Sequence, residues 1–337
     1  MQIYPLLQAE KMKKGRFDMK KFLALLLALV MTLSLVACGN KDDNGGKTGD
    51  YKVAMITDYG DITDQSFNQT TYEACKAFAE KNKVPFEYFK PNGDNTADRV
   101  AMIENAIEKG YNVIVMPGYA FGGAIVEAAP QFPDVKFIAL DVAKGDLLEA
   151  GVAAKGEKYD YTPDNWDLSK YVDMSNVYCA IYSEELCGYM AGYAAVKLGY
   201  KNLGFLGGMA VPAVVRYGYG FVQGVNAAAA DMSLTDVKVN YVYGGKFSGD
   251  ADITAVMDTW YNNGTEVVFA CGGGIFTSAV DAAKKVNGAK VIGVDVDQAG
   301  VIASYAAGEG ADQATIDGYK ALTVTSAMKG LYPATFD

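Results

Sequence analysis

Short apolar runs alternate with longer stretches of helical periodicity along most of the chain. In the first half, four runs rich in β-branched residues predict strands, which begin near Lys52, Val84, Asn112 and Val135. The stretches between them repeat apolar positions at helical spacing, over residues 67–81, 96–109 and 121–129. Strands that are apolar on both faces and are each followed by a helix predict a parallel sheet covered by helices.

The second half repeats this pattern. Its predicted strands begin near Asn202, Val237, Glu266 and Lys290, and its predicted helices span residues 214–230, 251–262 and 276–286. One strand follows the next by about thirty residues in both halves, which is the size of a βαβ unit. The sequence therefore predicts two doubly wound α/β lobes with parallel sheets.

The connections between the lobes are less regular. Residues 144–175 are polar, rich in Tyr and Asp, and predict an excursion; residues 177–182 predict a strand that leads into the second lobe. Residues 184–198 predict a helix whose small residues, Gly188, Ala191, Gly192 and Ala195, form a packing face. A second excursion is expected over residues 298–320, followed by a strand over 321–325 and a helix that begins at Ser326.

These patterns assign residues 51–182 and 296–337 to an N-terminal lobe and residues 183–295 to a C-terminal lobe. The two lobes should be joined by a hinge. Its crossovers are expected near Tyr182 and Asp295, with a third missing because the C-terminus looks truncated.

The N-terminal region has the layout of an export signal. Lys20 and Lys21 precede an apolar run, which ends in Leu35-Val36-Ala37-Cys38. This box resembles the lipobox of bacterial lipoproteins, in which the cysteine is diacylated and becomes the new N-terminus. A single transmembrane anchor is the alternative, but the run is shorter than the roughly 20 apolar residues that span a bilayer.

Residues 1–37 are thus expected to be an upstream extension and a lipoprotein signal peptide, and residues 38–50 a flexible tether. This processing predicts a protein anchored by lipid at the extracytoplasmic face of the cell membrane.

Composition excludes several classes of function. The 337 residues carry a net charge of −10, and without residues 1–37, which hold six basic and two acidic residues, it becomes −14. A nucleic acid is therefore not expected as a partner, because it needs a positive surface. The chain has no histidine, so His-based triads and His metal sites are excluded. No cofactor is expected. Asp58, Asp61 and Asp64 suggest a calcium site, but the EF-hand pattern is missing, so no metal site is expected either.

Four cysteines remain besides Cys38. Cys75, Cys179, Cys187 and Cys271 are widely spaced among apolar neighbours. Export permits a disulfide, but this spacing favours buried free thiols.

Polar, aromatic and glycine residues cluster where the predicted strands end. The first strand leads into Thr57-Asp58 and the fourth into Leu140-Asp141, while Gly207-Gly208, Gly244-Gly245 and Gly272 to Gly274 follow strands of the second lobe. Ligands of open parallel sheets bind at the carboxyl ends of the strands. A cleft between the two lobes is therefore the predicted binding site.

Three motifs at these strand ends carry a family resemblance. DxxDxSFNQ begins at Asp61, GVDVDQ begins at Gly293, and TSAMK spans Thr325 to Lys329. Their combination resembles the basic membrane protein (BMP) family of purine-nucleoside-receptor lipoproteins, over residue 52 to about residue 331. The resemblance implies a type I periplasmic-binding-protein fold, no catalysis, and delivery of a nucleoside to the permease of an ABC importer.

The resemblance also implies which residues line the ligand site: Asp58, Phe67, Asn68, Asp141, Phe247, Asp295 and Lys329. Tyr217 is a rival to Phe247 as the aromatic residue of the second lobe. The chain departs from the family in a long insert before Thr323. The chemistry of these residues fits a nucleoside, because aromatic rings stack on a base, carboxylates accept from ribose hydroxyls, and an amide pairs with a base edge.

Alternatives remain open on the sequence alone. The same fold could bind another small polar ligand such as a sugar, and a carboxylate pair could hydrolyse glycosides without histidine. Phe67 could be a core residue and Lys329 a solvated helix residue, while Asp64 is placed to cap the helix that begins near Phe67. Gly272 to Gly274 lacks the Lys-Ser/Thr of a P-loop, and Gly207-Gly208 lacks dinucleotide-binding spacing.

Overall fold

The computed structural model describes residues 51–337. The predicted signal peptide, the predicted lipidation site at Cys38 and the predicted tether lie outside the described residues. None of the helices between residues 51 and 337 combines the length and the apolarity that crossing a lipid bilayer requires.

The first lobe is built on a parallel five-stranded sheet in the order β2-β1-β3-β4-β5. Its strands are β1 (Val53–Ile56), β2 (Phe86–Phe89), β3 (Val113–Pro117), β4 (Lys136–Leu140) and β5 (Val177–Ala180). Its first four helices are α1 (Phe67–Asn82), α2 (Thr96–Glu108), α3 (Gly122–Ala128) and α4 (Lys144–Ala154). β1 is buried at every residue, as a central strand covered on both faces must be.

The second lobe has a parallel sheet of five strands in the order β10-β9-β8-β6-β7. Its strands are β6 (Asn202–Gly207), β7 (Lys238–Tyr243), β8 (Val267–Cys271), β9 (Lys290–Asp295) and β10 (Thr323–Met328). Its helices are α5 (Glu184–Lys197), α6 (Pro212–Asp231), α7 (Ala251–Asn262), α8 (Phe276–Ala283), α9 (Ala299–Ala307) and α10 (Gln313–Tyr319). Counted within its own lobe, each sheet has the strand order 2-1-3-4-5, which confirms the predicted duplication.

The predicted division of the chain is wrong at its C-terminal end. β10 pairs with β9 in the second sheet, where Ser326 lies opposite Gly293 and Met328 opposite Asp295. The chain therefore does not cross at Asp295, and residues 296–328 belong to the second lobe. It enters that lobe after β5 and leaves it at Lys329, because the next helix, α11 (Leu331–Phe336), packs on α1.

Three local predictions also differ from the structure. Ser326 lies in β10 and begins no helix; of the residues of this edge strand only Ala327 is buried, so no apolar run marks it. Residues 144–154 form α4, whose buried positions Leu147, Leu148, Gly151 and Val152 have helical spacing. The second excursion contains α9 and α10.

The predicted small-residue face of α5 is confirmed. α5 packs so tightly on α6 that a Cβ added at Gly188 would lie 2.1 Å from the carbonyl oxygen of Tyr217. A Cβ at Gly192 would lie 2.3 Å from that of Phe221. This contact holds α6, and with it Tyr217, against the start of α5. The four described cysteines are free thiols, as predicted, but of these only Cys75 and Cys271 are buried, while Cys179 and Cys187 are partly exposed.

Candidate functional site

A cleft of about 640 Å³ lies between the carboxyl ends of the two sheets. The cleft is lined by all eight residues that the sequence predicted to bind the ligand: Asp58, Phe67, Asn68, Asp141, Tyr217, Phe247, Asp295 and Lys329. The structure thus brings together side chains from both lobes. That they bind a ligand stays a prediction.

Asp58 follows β1 and is held by the backbone that comes next. Its Oδ1 accepts hydrogen bonds from the backbone N–H groups of Tyr59 (2.7 Å) and Gly60 (2.9 Å). Burial raises the pKa of the Asp58 carboxyl, and the two backbone N–H groups oppose that shift only in part. The side chain is therefore fixed at the edge of the cleft.

Asp64 orders the start of α1, as predicted. Its carboxylate accepts hydrogen bonds from the backbone N–H groups of Ser66, Asn68 and Gln69, at 2.9–3.0 Å. The amide Nδ2 of Asn68 also donates to Asp64, at 3.0 Å. The amide is thereby oriented with its Oδ1 buried and without a hydrogen-bond partner among the described residues. Asn68 thus presents an acceptor in a cleft that it lines.

The two lobes each contribute a phenylalanine. Phe67 begins α1, and Phe247 lies on the loop after β7, where its carbonyl accepts from the backbone N–H of Gly274 at 2.9 Å. A Cβ added at Gly208 would lie 2.3 Å from the Phe247 ring, so the ring rests directly on glycine backbone. Tyr217, by contrast, is 1% exposed and packs edge-on against Phe269. Of the two rival aromatic residues, Phe247 is the one that is only partly buried.

Lys329 is the centre of a buried charge cluster. Its Nζ lies 2.5 Å from Asp141 Oδ2, 3.3 Å from Glu184 Oε1 and 3.6 Å from Asp295 Oδ1. Burial by itself would lower the pKa of the Lys329 ammonium, but the three carboxylates together raise it above its usual value. Lys329 is therefore charged at neutral pH, and it comes directly after β10 instead of lying on a helix.

Asp295 joins the two lobes. Its Oδ2 accepts a hydrogen bond from Ser66 Oγ of the first lobe at 2.7 Å, and its Oδ1 accepts from the Tyr217 hydroxyl at 3.2 Å. Both Asp141 and Asp295 have left-handed backbone, with φ of 61° and 65°. Asp and Asn tolerate this conformation better than most residues. The side chains of both therefore leave their strand ends in unusual directions.

Sequence reasoning missed several residues of this region. Ser66 and Glu184 are buried partners of the predicted side chains, and Tyr59, Tyr119 and Lys246 line the cleft. Glu184 carries one usable signal, since it is the first residue of a helix that follows a crossover. Ser66 lies within the SFNQ motif and could have been included with it.

The cleft is strongly acidic. Its lining includes six aspartates, at positions 58, 61, 64, 94, 141 and 295, and two lysines, Lys246 and Lys329. The excess of negative charge along this lining repels an anion. The site is therefore suited to neutral or cationic ligands.

The family model of the PnrA-like ABC transporter substrate-binding proteins matches residues 51–325. The curated relatives include the ABC transporter nucleoside-binding protein BmpA of Lactococcus lactis, which is 29% identical over 287 residues, 81% of this chain and 72% of that protein. Basic membrane protein A of Borreliella burgdorferi is 26% identical over 278 residues, 82% of this chain and 71% of that protein.

Solved structures support the fold. A solute-binding protein of an ABC transporter system from Aeropyrum pernix superposes with a TM-score of 0.56 at 22% identity, covering 73% of this chain and 62% of that one. A periplasmic sugar-binding protein from Legionella pneumophila superposes with a TM-score of 0.53 at 15% identity, covering 85% of this chain and 91% of that one. The two lobes thus form a type I periplasmic-binding-protein fold. With the match over residues 51–325, the chain belongs to the PnrA-like family of ABC transporter substrate-binding proteins.

Proposed function

We propose that this protein is an extracytoplasmic, lipid-anchored receptor that captures a purine nucleoside in the interlobe cleft and delivers it to an ABC importer. The observation that carries the proposal is the placing of Phe67 and Phe247 on opposite lobes, with the buried cluster of Lys329, Asp141 and Asp295 beside the same cleft. This combination offers stacking faces and hydroxyl-binding charges in one site.

The aromatic pair suits a flat base. Stacking of a base on an aromatic side chain contributes roughly 1–3 kcal/mol per base, and a ring on each lobe can hold both faces. The unpartnered Oδ1 of Asn68 supplies an acceptor for a donor on the base edge.

The charge cluster suits ribose hydroxyls. Asp141 Oδ1 has no hydrogen-bond partner among the described residues, while Oδ2 of the same carboxylate binds Lys329. A hydroxyl can donate to the free carboxylate oxygen and accept from the ammonium at the same time, and such charge-assisted bonds are strong.

The acidic lining favours a nucleoside over a nucleotide, because a phosphate would bring further negative charge among six aspartates. The cleft volume of about 640 Å³ lies within the roughly 300–1,000 Å³ that is usual for small-molecule sites. A sugar would also fit that volume, and the binding series below distinguishes the two ligands.

Binding measurements on the full-length protein in detergent test the proposal. Inosine and guanosine should bind tightly, ribose and the 5′-monophosphate of inosine weakly or not at all. Native mass spectrometry of the purified protein should detect a bound nucleoside. Tighter binding of a sugar than of any nucleoside would replace the proposal with the sugar alternative.

Variants of the two aromatic residues sharpen this test. Phe67→Ala and Phe247→Ala should each weaken inosine binding by about 1–3 kcal/mol through the loss of stacking. Phe86→Ala is the matched control, because Phe86 is a partly buried residue of β2 that does not line the cleft. Chromatography of inosine after incubation with the protein should show the nucleoside intact; released base would indicate a hydrolase.

The membrane anchor is tested separately. Cys38→Ala should yield unprocessed precursor or protein that is released from the membrane. An unchanged membrane fraction with unchanged mobility would contradict the lipid anchor. Support for export comes from the LVAC box and from the relative described as an uncharacterized lipoprotein of Pyrococcus furiosus, 25% identical over 305 residues.

A further inference from the structure

Glu184 is a buried carboxylate that does not line the cleft. It is fully buried at the start of α5, immediately after the chain crosses into the second lobe. Its two oxygens are used separately: Oε2 accepts from Arg216 Nε at 2.6 Å, and Oε1 lies 3.3 Å from Lys329 Nζ. One carboxylate thus holds two cations on two different elements.

Neutralising Lys329 does not require Glu184. Asp141 and Asp295 already lie within 4 Å of the ammonium, at 2.5 Å and 3.6 Å. Burying the third carboxylate, that of Glu184, costs desolvation energy, so we expect Glu184 to contribute by fixing the geometry of the cluster. A lysine ammonium has three N–H donors. Asp141 and Glu184 take two of them, and Asp295 lies beyond hydrogen-bond distance.

We infer that Glu184 is a positioning residue: anchored by Arg216, it fixes the Lys329 ammonium so that the third N–H points to a ribose hydroxyl of the bound nucleoside. Without the second anchor the ammonium could rotate and donate to Asp295. This inference rests on the proposed function for its ligand, and on the structure alone for the arrangement of Arg216, Glu184 and Lys329.

Glu184→Gln is the informative variant. Arg216 and Lys329 lie on different oxygens of the Glu184 carboxylate, and an amide places its single oxygen at only one of these positions, so it can serve either cation but not both. In the full-length protein, Glu184→Gln should weaken inosine binding about tenfold, the loss of one hydrogen bond to a charged group. Binding of 2′,3′-dideoxyinosine, which lacks both hydroxyls, should change less than about twofold. Glu149→Gln, an exposed glutamate of the first lobe, is the matched control.

A second substitution tests the mechanism. In Glu184→Gln with Arg216→Met, no guanidinium competes for the amide oxygen, which can turn to Lys329. The double variant also removes one charge of each sign, so the cluster keeps its net charge. It should recover most of the lost affinity for inosine. Equal losses for inosine and the dideoxy analogue, an unchanged affinity in Glu184→Gln, or no recovery in the double variant would each overturn the positioning role.

A measurement without ligand keeps this inference separate from the proposed function. The buried Lys329 ammonium should give a slowly exchanging ¹⁵Nζ signal, assigned by its loss in Lys329→Arg. Glu184→Gln should shift this signal and speed its hydrogen exchange, and the double variant should reverse both. A signal that Glu184→Gln leaves unchanged overturns the inference, whereas failure of the wild-type protein to bind any nucleoside overturns the proposed function.

Discussion

At the scale of single residues, the backbone conformation of Asp141 and Asp295 determines which substitutions can test their roles. Both have positive φ, at 61° and 65°, which an alanine would adopt with strain. An alanine variant would therefore mix lost stability with lost binding. Asparagine keeps the shape and tolerates the same backbone, so it removes only the charge and part of the acceptor capacity.

Asp295→Asn should weaken inosine binding by at least about tenfold, because a charged acceptor beside Lys329 becomes a neutral one. Its melting temperature should stay close to that of the wild-type protein, whereas Asp295→Ala should lower it. Calorimetric titration and a thermal melt measure the two effects. The control is Asp297→Asn, an exposed aspartate two residues further on. A drop in melting temperature as large as that of the alanine variant would contradict the backbone argument.

The nominated site residues could be found from the sequence because they follow strands or lie in short motifs. Asp58, Asp141 and Asp295 each lie within two residues of a strand end, where open parallel sheets place their ligands. Glu184 could not be found in this way. Its partner Lys329 is brought to it only when both crossovers are in place, and no local pattern records that contact.

At the scale of elements, the α5–α6 contact is the part of the second lobe most sensitive to a single methyl group. A Cβ at Gly188 would lie 2.1 Å from the backbone oxygen of Tyr217, and backbone cannot move aside as a side chain does. Overpacking of this kind costs typically about 1–3 kcal/mol.

Gly188→Ala should therefore destabilise the protein by about 1–3 kcal/mol and also weaken nucleoside binding, since it displaces the residue that binds Asp295. Gly300→Ala is the control, because it lies in α9 with no atom within 4 Å of an added Cβ. It should be neutral or slightly stabilising through helix propensity. Chemical denaturation compares the two. Equal stability of both variants would mean that the helices separate more easily than their packing indicates.

The start of α4 carries a pH-dependent contribution to stability. Asp146 accepts from the backbone N–H of Ala143 at 2.7 Å, and burial raises the pKa of its carboxyl to about 6. A carboxyl whose pKa is higher in the folded state favours folding in its protonated form. Its stabilising contribution is present below the unfolded pKa of about 3.8 and is lost as pH rises through about 6.

Asp146→Asn should abolish this loss of stability at higher pH, because an amide does not titrate. At pH 7.5 the variant should be more stable than the wild-type protein by about 1–2 kcal/mol, and the difference should shrink towards zero below about pH 4. Thermal melts across this pH range provide the measurement, with Asp164→Asn, an exposed aspartate, as the control. A constant difference at all pH values would contradict the raised pKa.

The elements that were missed or misplaced share a physical cause. The strand predicted over residues 321–325 lies at 323–328, because β10 is an edge strand with one buried residue and lacks the apolar run that marked the other strands. α4 and α9 follow loops at the carboxyl ends of β4 and β9, and their polar surroundings hid their short helical periodicity. The central strands, which are buried on both faces, could all be predicted.

At the scale of the whole molecule, a hydrogen bond joins the two lobes in this structure. Ser66 Oγ of the first lobe donates to Asp295 Oδ2 of the second at 2.7 Å. Between residues 51 and 337, two crossovers connect the lobes, at residues 181–183 and at Lys329, and such connections permit hinge closure.

Saturating inosine should reduce the radius of gyration in small-angle scattering and raise the melting temperature, because ligand binds the closed folded form. At a hundred times the Kd the added stability is about 2.7 kcal/mol. Ser66→Ala should weaken inosine binding about tenfold through loss of the interlobe hydrogen bond, while the exposed control Ser169→Ala should not. An unchanged radius of gyration at saturation would argue against a closing hinge.

The path of the chain between the lobes bears on the order in which the molecule folds. The second lobe is one uninterrupted segment, from α5 to β10, inserted into the first. Among the described residues, the chain returns to the first lobe in α11, whose Phe336 packs edge-on against Phe78 of α1. Contacts so distant in sequence form late, because the loop that joins them must close first. During folding, the inserted second lobe can therefore reach its native packing before α11 packs on α1.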